Sequence, residues 1–169
     1  PKPNAGAGYI FERIAGNWVE VAKIVSSDRA ANDYFGNSVS ISGDYIVIGA
    51  YKESSQRGSA DIFEKNSAGF WIEKQKIDAG NLNGIQWFGN SVTIDGNYIA
   101  VGSPHDESAY IFEKVSGTWI RTQRIIASDR NGVTSFFGNS VSISSNYIVV
   151  GDLLENRDEN GLNLITNAG

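Results

Sequence analysis

Hydrophobic and polar residues alternate in short runs along this chain, and the runs recur. In Phe35-Gly36-Asn37-Ser38-Val39-Ser40-Ile41, valine and isoleucine alternate with serine, which is the period of two that a pleated strand imposes. The block returns at residues 88–94 and again at residues 137–143, at offsets of 53 and 49 residues. A repeat of this length predicts an array of similar structural units.

Three further blocks keep the same spacing, and each has the composition of a strand: Tyr45-Ile46-Val47-Ile48-Gly49 with residues 98–102 and 147–151; Tyr9-Ile10-Phe11-Glu12 with residues 61–64 and 110–113; and the segments that begin at Trp18, Trp71 and Trp119. Short turns of Gly, Asp, Asn and Ser separate the first two blocks of each copy, as hairpins require. No segment sustains a helical stripe. Each copy therefore predicts four antiparallel strands.

A four-stranded sheet with two apolar faces must stack against its neighbours. Stacking around an axis gives a β-propeller of four to eight blades, whereas a linear β-solenoid has shorter repeats of about 20–30 residues. The repeat length favours the propeller, so the predicted fold class is all-β, with about three blades that form a partial propeller or part of a ring completed by other blades.

The Phe-Gly block, together with the strand ends Gly49-Ala50 and Gly102-Ser103-Pro104, resembles the FG-GAP repeat of integrin α-like propellers. The resemblance implies that the Phe-Gly strand is innermost and the tryptophan strand outermost. It divides residues 1–169 into copies at about 8–57, 58–107 and 108–157, with the start of a further copy at 161–169.

This strand order leaves two whole blades flanked by two incomplete ones. Either the chain belongs to a longer assembly whose other blades complete the ring, or separate chains complete it. In the second case the leading strands of one chain join the trailing strands of another. The trailing segment of the chain includes Leu162-Asn163-Leu164-Ile165, which stands at the position of a third strand. A dimer then has about six blades, against the seven of integrin-like propellers.

Composition narrows the possible chemistry. The 169 residues include no cysteine and one histidine, which exclude disulfide scaffolds, thiolate zinc sites and His-rich metal sites. The net charge is −5 and the charges are scattered, which argues against nucleic-acid binding. No apolar run approaches the roughly 20 residues that membrane insertion requires. The absence of methionine favours a processed or excised piece.

Calcium is the ligand that the resemblance suggests, because many FG-GAP blades carry a D-x-D-x-D-G-type loop between the first two strands. Here that connection is only Gly43-Asp44 in the first full copy, too short to supply six to eight oxygens. The chain thus resembles a variant without the calcium loop. Weaker metal candidates are Glu155, Asp158 and Glu159, for which a solvated loop is the favoured interpretation, so we expect no cofactor.

We expect no catalytic residues. His105 lies beside Asp106 and Glu107, but adjacent residues on a tight loop point in different directions, and the G-x-S-x-G nucleophile motif and the phosphate-binding glycine motifs are absent.

An aromatic residue precedes each Phe-Gly pair: Tyr34, Trp87 and Phe136. These three are the candidate ligand-binding residues, with Asp28-Arg29 and Asp129-Arg130 as polar companions. Exposed aromatic rings mark interaction sites, but the alternative is that the rings pack between blades, which periodic recurrence favours.

The leading functional hypothesis is a non-catalytic binding or adhesion module, extracellular or at the cell surface, that engages a protein partner through loops on one propeller face. The alternatives are a lectin that binds glycans in pockets between blades and a structural building block of a surface assembly, whose partners are further blades. The absence of catalytic groups and the resemblance support the first hypothesis.

Overall fold

The computed structural model describes residues 1–80, 84–128 and 135–154. Twelve strands account for most of these residues: β1 Gly8–Ile14, β2 Asn17–Ile24, β3 Ser38–Ser42, β4 Tyr45–Ala50, β5 Ser59–Lys65, β6 Trp71–Ile77, β7 Ser91–Asp95, β8 Tyr98–Ser103, β9 Ser108–Val115, β10 Thr118–Ile125, β11 Phe137–Ser144 and β12 Tyr147–Asp152. All the pairings between these strands are antiparallel. The prediction of an all-β fold is confirmed.

The strands form two complete blades and two half blades. Blade 1 has the order β3-β4-β5-β6, and blade 2 has the order β7-β8-β9-β10. Before them lies the pair β1-β2, and after them the pair β11-β12. The predicted strand order, with the Phe-Gly block first and the tryptophan block fourth, is therefore confirmed. The sheets of the described residues do not close into a ring.

Two turns interrupt the all-strand pattern between β4 and β5 and between β8 and β9. The first is a four-residue helical turn, α1 Glu53–Gln56, in which Ser54, Ser55 and Gln56 have positive φ. The second is a 3-10 turn at Pro104–Asp106. Neither turn is long enough to show a periodic hydrophobic stripe, which is why the sequence pattern did not reveal them.

The blades pack face to face. A core cluster between blades 1 and 2 joins Val47 and Ile62 of blade 1 to Val92, Ile94 and other residues of blade 2. A second cluster joins Ile24 and partly buried Ile10 of the leading half blade to the other face of blade 1. The second strand of blade 1, β4, is buried on both faces, because each face is covered by a neighbouring sheet.

The inner strands β3, β7 and β11 lie side by side, and polar side chains connect them. The amide group of Asn37 donates to the carbonyl oxygen of Asn90 at 3.0 Å, and that of Asn90 donates to the carbonyl oxygen of Asn139 at 3.0 Å. The serine and threonine hydroxyls that alternate with valine and isoleucine accept from the next strand, as in Ile94 N–H to Ser40 Oγ. The small polar residues of the repeat therefore form the joint between blades.

Candidate functional site

Antiparallel strands place every second connection at the same end of the blades. The connection before each inner strand and the connection between the second and third strands share one end, whereas the β3–β4 and β5–β6 turns lie at the other. At the first end, five rings form what we term the aromatic row: Tyr34, Tyr51, Trp87, His105 and Phe136.

The rings of the aromatic row contact one another in an unbroken series. The centroids of Tyr34 and Tyr51 lie 5.7 Å apart, and those of Tyr51 and Trp87 lie 5.5 Å apart. The ring of His105 lies 4.1 Å from Trp87 and 5.5 Å from Phe136. Edge-to-face and tilted contacts at these distances stabilise aromatic pairs. The row thus crosses from blade 1 to the trailing half blade.

Local backbone geometry separates the row from the core. Tyr34 and Trp87 have φ of 57° and 56°, and each is followed by a buried phenylalanine. The N–H of Trp87 donates to the carbonyl oxygen of Gln56 at 3.2 Å, and the N–H of Phe88 donates to that of Arg57 at 2.9 Å. Because successive residues bond to the same neighbouring loop, Phe88 enters the core while Trp87 stays half-buried at the surface.

The row has polar groups at its edges. The ammonium group of Lys52 lies 4.6 Å from the ring centroid of Tyr34 and 5.4 Å from that of Tyr51, within cation–π range. The indole N–H of Trp87 donates to Gln56 Oε1 at 3.3 Å. His105 is the most exposed member, and the other four rings are half-buried. Flat rings with polar rims suit the binding of a partner surface or a sugar face.

The structure brings the three predicted residues Tyr34, Trp87 and Phe136 to one face of the blades. No ligand-binding role was predicted for Tyr51, Lys52 or His105. The rings of Tyr51 and His105 connect the three predicted residues, and Lys52 lies over Tyr34 and Tyr51. Their equivalent positions could have indicated a shared role, since Tyr51-Lys52 and Pro104-His105 both follow the end of a second strand. The residue types at these positions differ between copies, however, so the repeat did not reveal them.

The comparison with known families agrees with this architecture. A model of the FG-GAP repeat matches three consecutive segments, residues 18–63, 71–112 and 119–163. These segments cover most of the chain. The chain belongs to the FG-GAP repeat family.

A search of curated protein sequences finds no significant match to this FG-GAP chain. FG-GAP repeats typically occur in extracellular domains and form binding rather than catalytic modules. Among the described residues there is no helix of the length and hydrophobicity that crossing a membrane requires.

The other polar candidates have different surroundings. The carboxylate of Asp28 accepts from Lys76 at 2.6 Å and from Ser26 at 2.6 Å, and these bonds lower its pKa. Asp106 accepts from the hydroxyl of Tyr110 and pairs with Arg124 at 2.9 Å, so it is engaged away from His105. Residues Asp129, Arg130, Glu155, Asp158 and Glu159 lie outside the described residues.

Sequence reasoning also missed a buried charged cluster on the face of blade 1 next to β2. Asp61 is fully buried, and its carboxylate lies 3.5 Å from the ammonium group of Lys76, which also contacts Glu53 at 2.7 Å. Burial raises the pKa of Asp61 to about 7, although the lysine opposes this shift. The other copies have Tyr9 and Tyr110 at this position, so Asp61 departs from the repeat.

The three tryptophans of the fourth strands have unequal environments. Trp119 is buried between blades 1 and 2, where its ring meets Tyr45 edge to face at 5.9 Å. The backbone N–H of Trp119 donates to Gln75 Oε1 at 2.9 Å, and Gln75 Nε2 donates back to the carbonyl oxygen of Trp119 at 2.7 Å. Trp18 is exposed on the leading half blade. Packing between blades thus explains Trp119 but not Trp18.

Proposed function

We propose that this FG-GAP chain is a non-catalytic binding module of a secreted or cell-surface protein, and that it engages a protein partner through the aromatic row. The observation that carries the proposal is the continuity of the row, in which five rings from three successive blades share one face. Aromatic side chains give large contact areas at low entropic cost, which is why they dominate binding energies at protein interfaces.

The chemistry near the row supports binding rather than catalysis. Lys52 and Gln56 supply a cation and an amide at the rim of the row. The imidazole of His105 has aromatic neighbours on both sides, and the adjacent Asp106 is already paired with Arg124. A general acid–base pair requires the two groups within hydrogen-bond reach of one substrate proton, and this arrangement does not support one.

The test compares variants of the row with a variant at the opposite end of blade 1. The immobilised chain is exposed to a detergent extract of surface-labelled cells and, separately, to a glycan array. His105→Ala removes the exposed ring of the row, and Trp87→Phe keeps a ring between Tyr51 and His105. Phe70→Ala, in the β5–β6 turn, is the control because Phe70 is exposed and distant from the row.

We expect a specific protein to be retained by the native chain and by Phe70→Ala, and retention to fall at least tenfold for His105→Ala. Trp87→Phe should retain part of the binding. Glycan binding that depends on the same residues would replace the protein partner by a sugar and favour the lectin alternative. Equal binding by the native chain and His105→Ala would show that the row is not the binding face.

A further inference from the structure

The charged cluster of blade 1 contains an aspartate and a lysine that face each other across two neighbouring strands. Asp61 of β5 and Lys76 of β6 are direct partners in the antiparallel register. The ammonium nitrogen of Lys76 lies 3.5 Å from Oδ1 of Asp61. Glu53, in the turn α1, contacts the same ammonium group at 2.7 Å. An amine, a carboxyl group and a second carboxylate therefore meet at one point.

The carboxyl group of Asp61 is buried without the hydrogen bonds that normally accompany burial. The side chain is fully inaccessible, and neither carboxyl oxygen has a hydrogen-bond partner among the described residues. The hydroxyl of Ser26 donates to Asp28 instead. Burial of a carboxyl group with a lysine as its only polar neighbour costs free energy, and such an ion pair is weak evidence for a stabilising role. The pair therefore invites a chemical explanation.

We propose that the side chains of Asp61 and Lys76 condense into an intramolecular amide bond, which joins β5 covalently to β6, with Glu53 as the proton acceptor. The nitrogen and the carboxyl group are already held in the near contact that favours an intramolecular reaction. Because the two residues are directly paired, the bond requires no change of register. The reaction occurs once in each chain, so it is a self-modification and not an enzymatic activity.

The reaction consumes no reagent and releases one molecule of water. Glu53 removes one proton from the ammonium group of Lys76, which leaves a neutral amine. The amine nitrogen attacks Cγ of the protonated Asp61 carboxyl group, and the Nζ–Cγ bond forms. The bond between Cγ and the hydroxyl oxygen then breaks, and the hydroxyl leaves as water with the second proton of the nitrogen. The third proton stays on the amide nitrogen, and Glu53 releases the first to the solvent.

The surroundings favour the protonated carboxyl group but disfavour the free amine. Burial raises the pKa of Asp61 to about 7, so a large share of the folded chains carries this proton at neutral pH. Burial lowers the pKa of Lys76, but hydrogen bonds to Asp28 and Glu53 outweigh burial and hold that pKa above its usual value. The neutral amine is therefore scarce, and we expect bond formation to take days. Freshly prepared chain is unlinked, and the pH dependence of its stability is measured before the bond forms.

The equivalent positions of the other copies do not have this pair of groups. The register places Tyr9 opposite Lys23 in the leading half blade and Tyr110 opposite Arg124 in blade 2. Tyrosine has no carboxyl group from which an amide could form. Among the described copies, the covalent link is therefore specific to blade 1.

Blade 1 also supplies an internal control for the effect of burial. Lys74 and Glu64 are closer than Lys76 and Asp61, at 3.1 Å, but their side chains are 50% and 32% exposed. Water solvates these two charged groups, and hydrogen bonds to Tyr45 and Lys74 lower the pKa of Glu64, which keeps it ionised. An ionised carboxylate is a poor acceptor for an amine, so we expect no link between Lys74 and Glu64.

The mass of the full chain tests the proposal. The folded chain is incubated at pH 7 for a week, and samples are taken daily. We expect a growing fraction whose mass is lower by one water molecule, and a tryptic digest in which the peptides of Asp61 and Lys76 are joined. Lys74 and Glu64 should stay unlinked in the same digest. Cyclisation at Asp95-Gly96 would also release water, and tandem mass spectrometry distinguishes it because no peptides are joined.

Three variants assign the roles of the residues. Lys76→Arg keeps the positive charge but removes the amine, so no link should form. Glu53→Gln keeps the size of the side chain and should slow the reaction at least tenfold, because the proton acceptor is lost. Asp28→Asn removes an exposed carboxylate that holds Lys76 protonated, and should speed the reaction. Circular dichroism shows whether each variant is folded.

The joined peptides in the native chain decide the central point, whichever variants fold. An unchanged mass of the native chain throughout the incubation would overturn the proposal, as would a loss of water without joined peptides. Equal rates for the native chain and folded Glu53→Gln would refute the role of Glu53 as proton acceptor.

Discussion

The α-carbon of Gly49 in blade 1 lies so close to Gly89 in blade 2 that a β-carbon on Gly49 would stand 1.9 Å from the carbonyl oxygen of Gly89. Gly102 and Gly138 repeat this relationship between blade 2 and the trailing half blade. Gly49 is the last residue but one of β4, the second strand of its copy, and Gly89 belongs to the Phe-Gly pair of the next copy. The two glycines of the repeat signature therefore allow neighbouring blades to approach closely at this point.

We expect Gly49→Ala to destabilise the fold by about 3 kcal/mol, because a backbone carbonyl cannot move aside and the two blades must separate. Urea unfolding followed by circular dichroism measures the change. Gly16→Ala is the control: its β-carbon meets no atom within 4 Å, so only its positive φ opposes the substitution, at a cost of about 1 kcal/mol. Equal losses for the two variants would mean that the blades are not in contact at Gly49.

Trp119→Ala is expected to cost about 3–5 kcal/mol, because it leaves a cavity between blades 1 and 2 beside Tyr45. Phe70→Ala removes an exposed ring in a turn and should change the free energy of unfolding by less than about 0.5 kcal/mol. The free energy of unfolding of both variants is measured by the same urea titration. A small loss for Trp119→Ala would contradict the packing of the two blades.

The pKa of Asp61 predicts an unusual pH dependence of stability. Because burial raises this pKa from 3.8 to about 7, the folded chain retains a proton that the unfolded chain has released between these values. Stability is therefore greatest at the acidic end of this window and falls as the pH rises through it, by up to about 4 kcal/mol. The lowered pKa values of Asp28 and Glu64 act in the opposite direction, but only as the pH falls below about 5, where these carboxylates begin to bind protons in the unfolded chain.

Asp61→Asn removes the titrating group while keeping its shape. The free energy of unfolding of the native chain, measured by urea titration from pH 4.5 to 8, should decrease with pH relative to that of Asp61→Asn. Parallel pH profiles of the two proteins would show that Asp61 stays ionised in the fold, paired with Lys76.

The sequence predicted the blades well because strand patterning is local. Val39 and Ile41 alternate with serine within one strand, and that alternation alone indicates a pleated segment. The family resemblance supplied the strand order. The aromatic row was only half predicted, because Tyr51 and His105 occupy loops whose residue types are not repeated.

The burial of Asp61, in contrast, could not be predicted from the sequence. This residue lies beside the apolar residues Ala60, Ile62 and Phe63 of β5, and its burial near Lys76 and Glu53 depends on which neighbouring sheet covers that face. A tertiary environment of this kind has no signature in the spacing of residues along the chain.

The Phe-Gly strands lie side by side, so that each blade contacts the next along its inner edge. Nuclear Overhauser effects on the isotope-labelled chain test this most directly. We expect cross peaks between the amide proton of Ile94 and the side chain of Ser40, and between the amide proton of Ile143 and the side chain of Thr93. Cross peaks confined to strands of the same blade, with none between β3, β7 and β11, would contradict it.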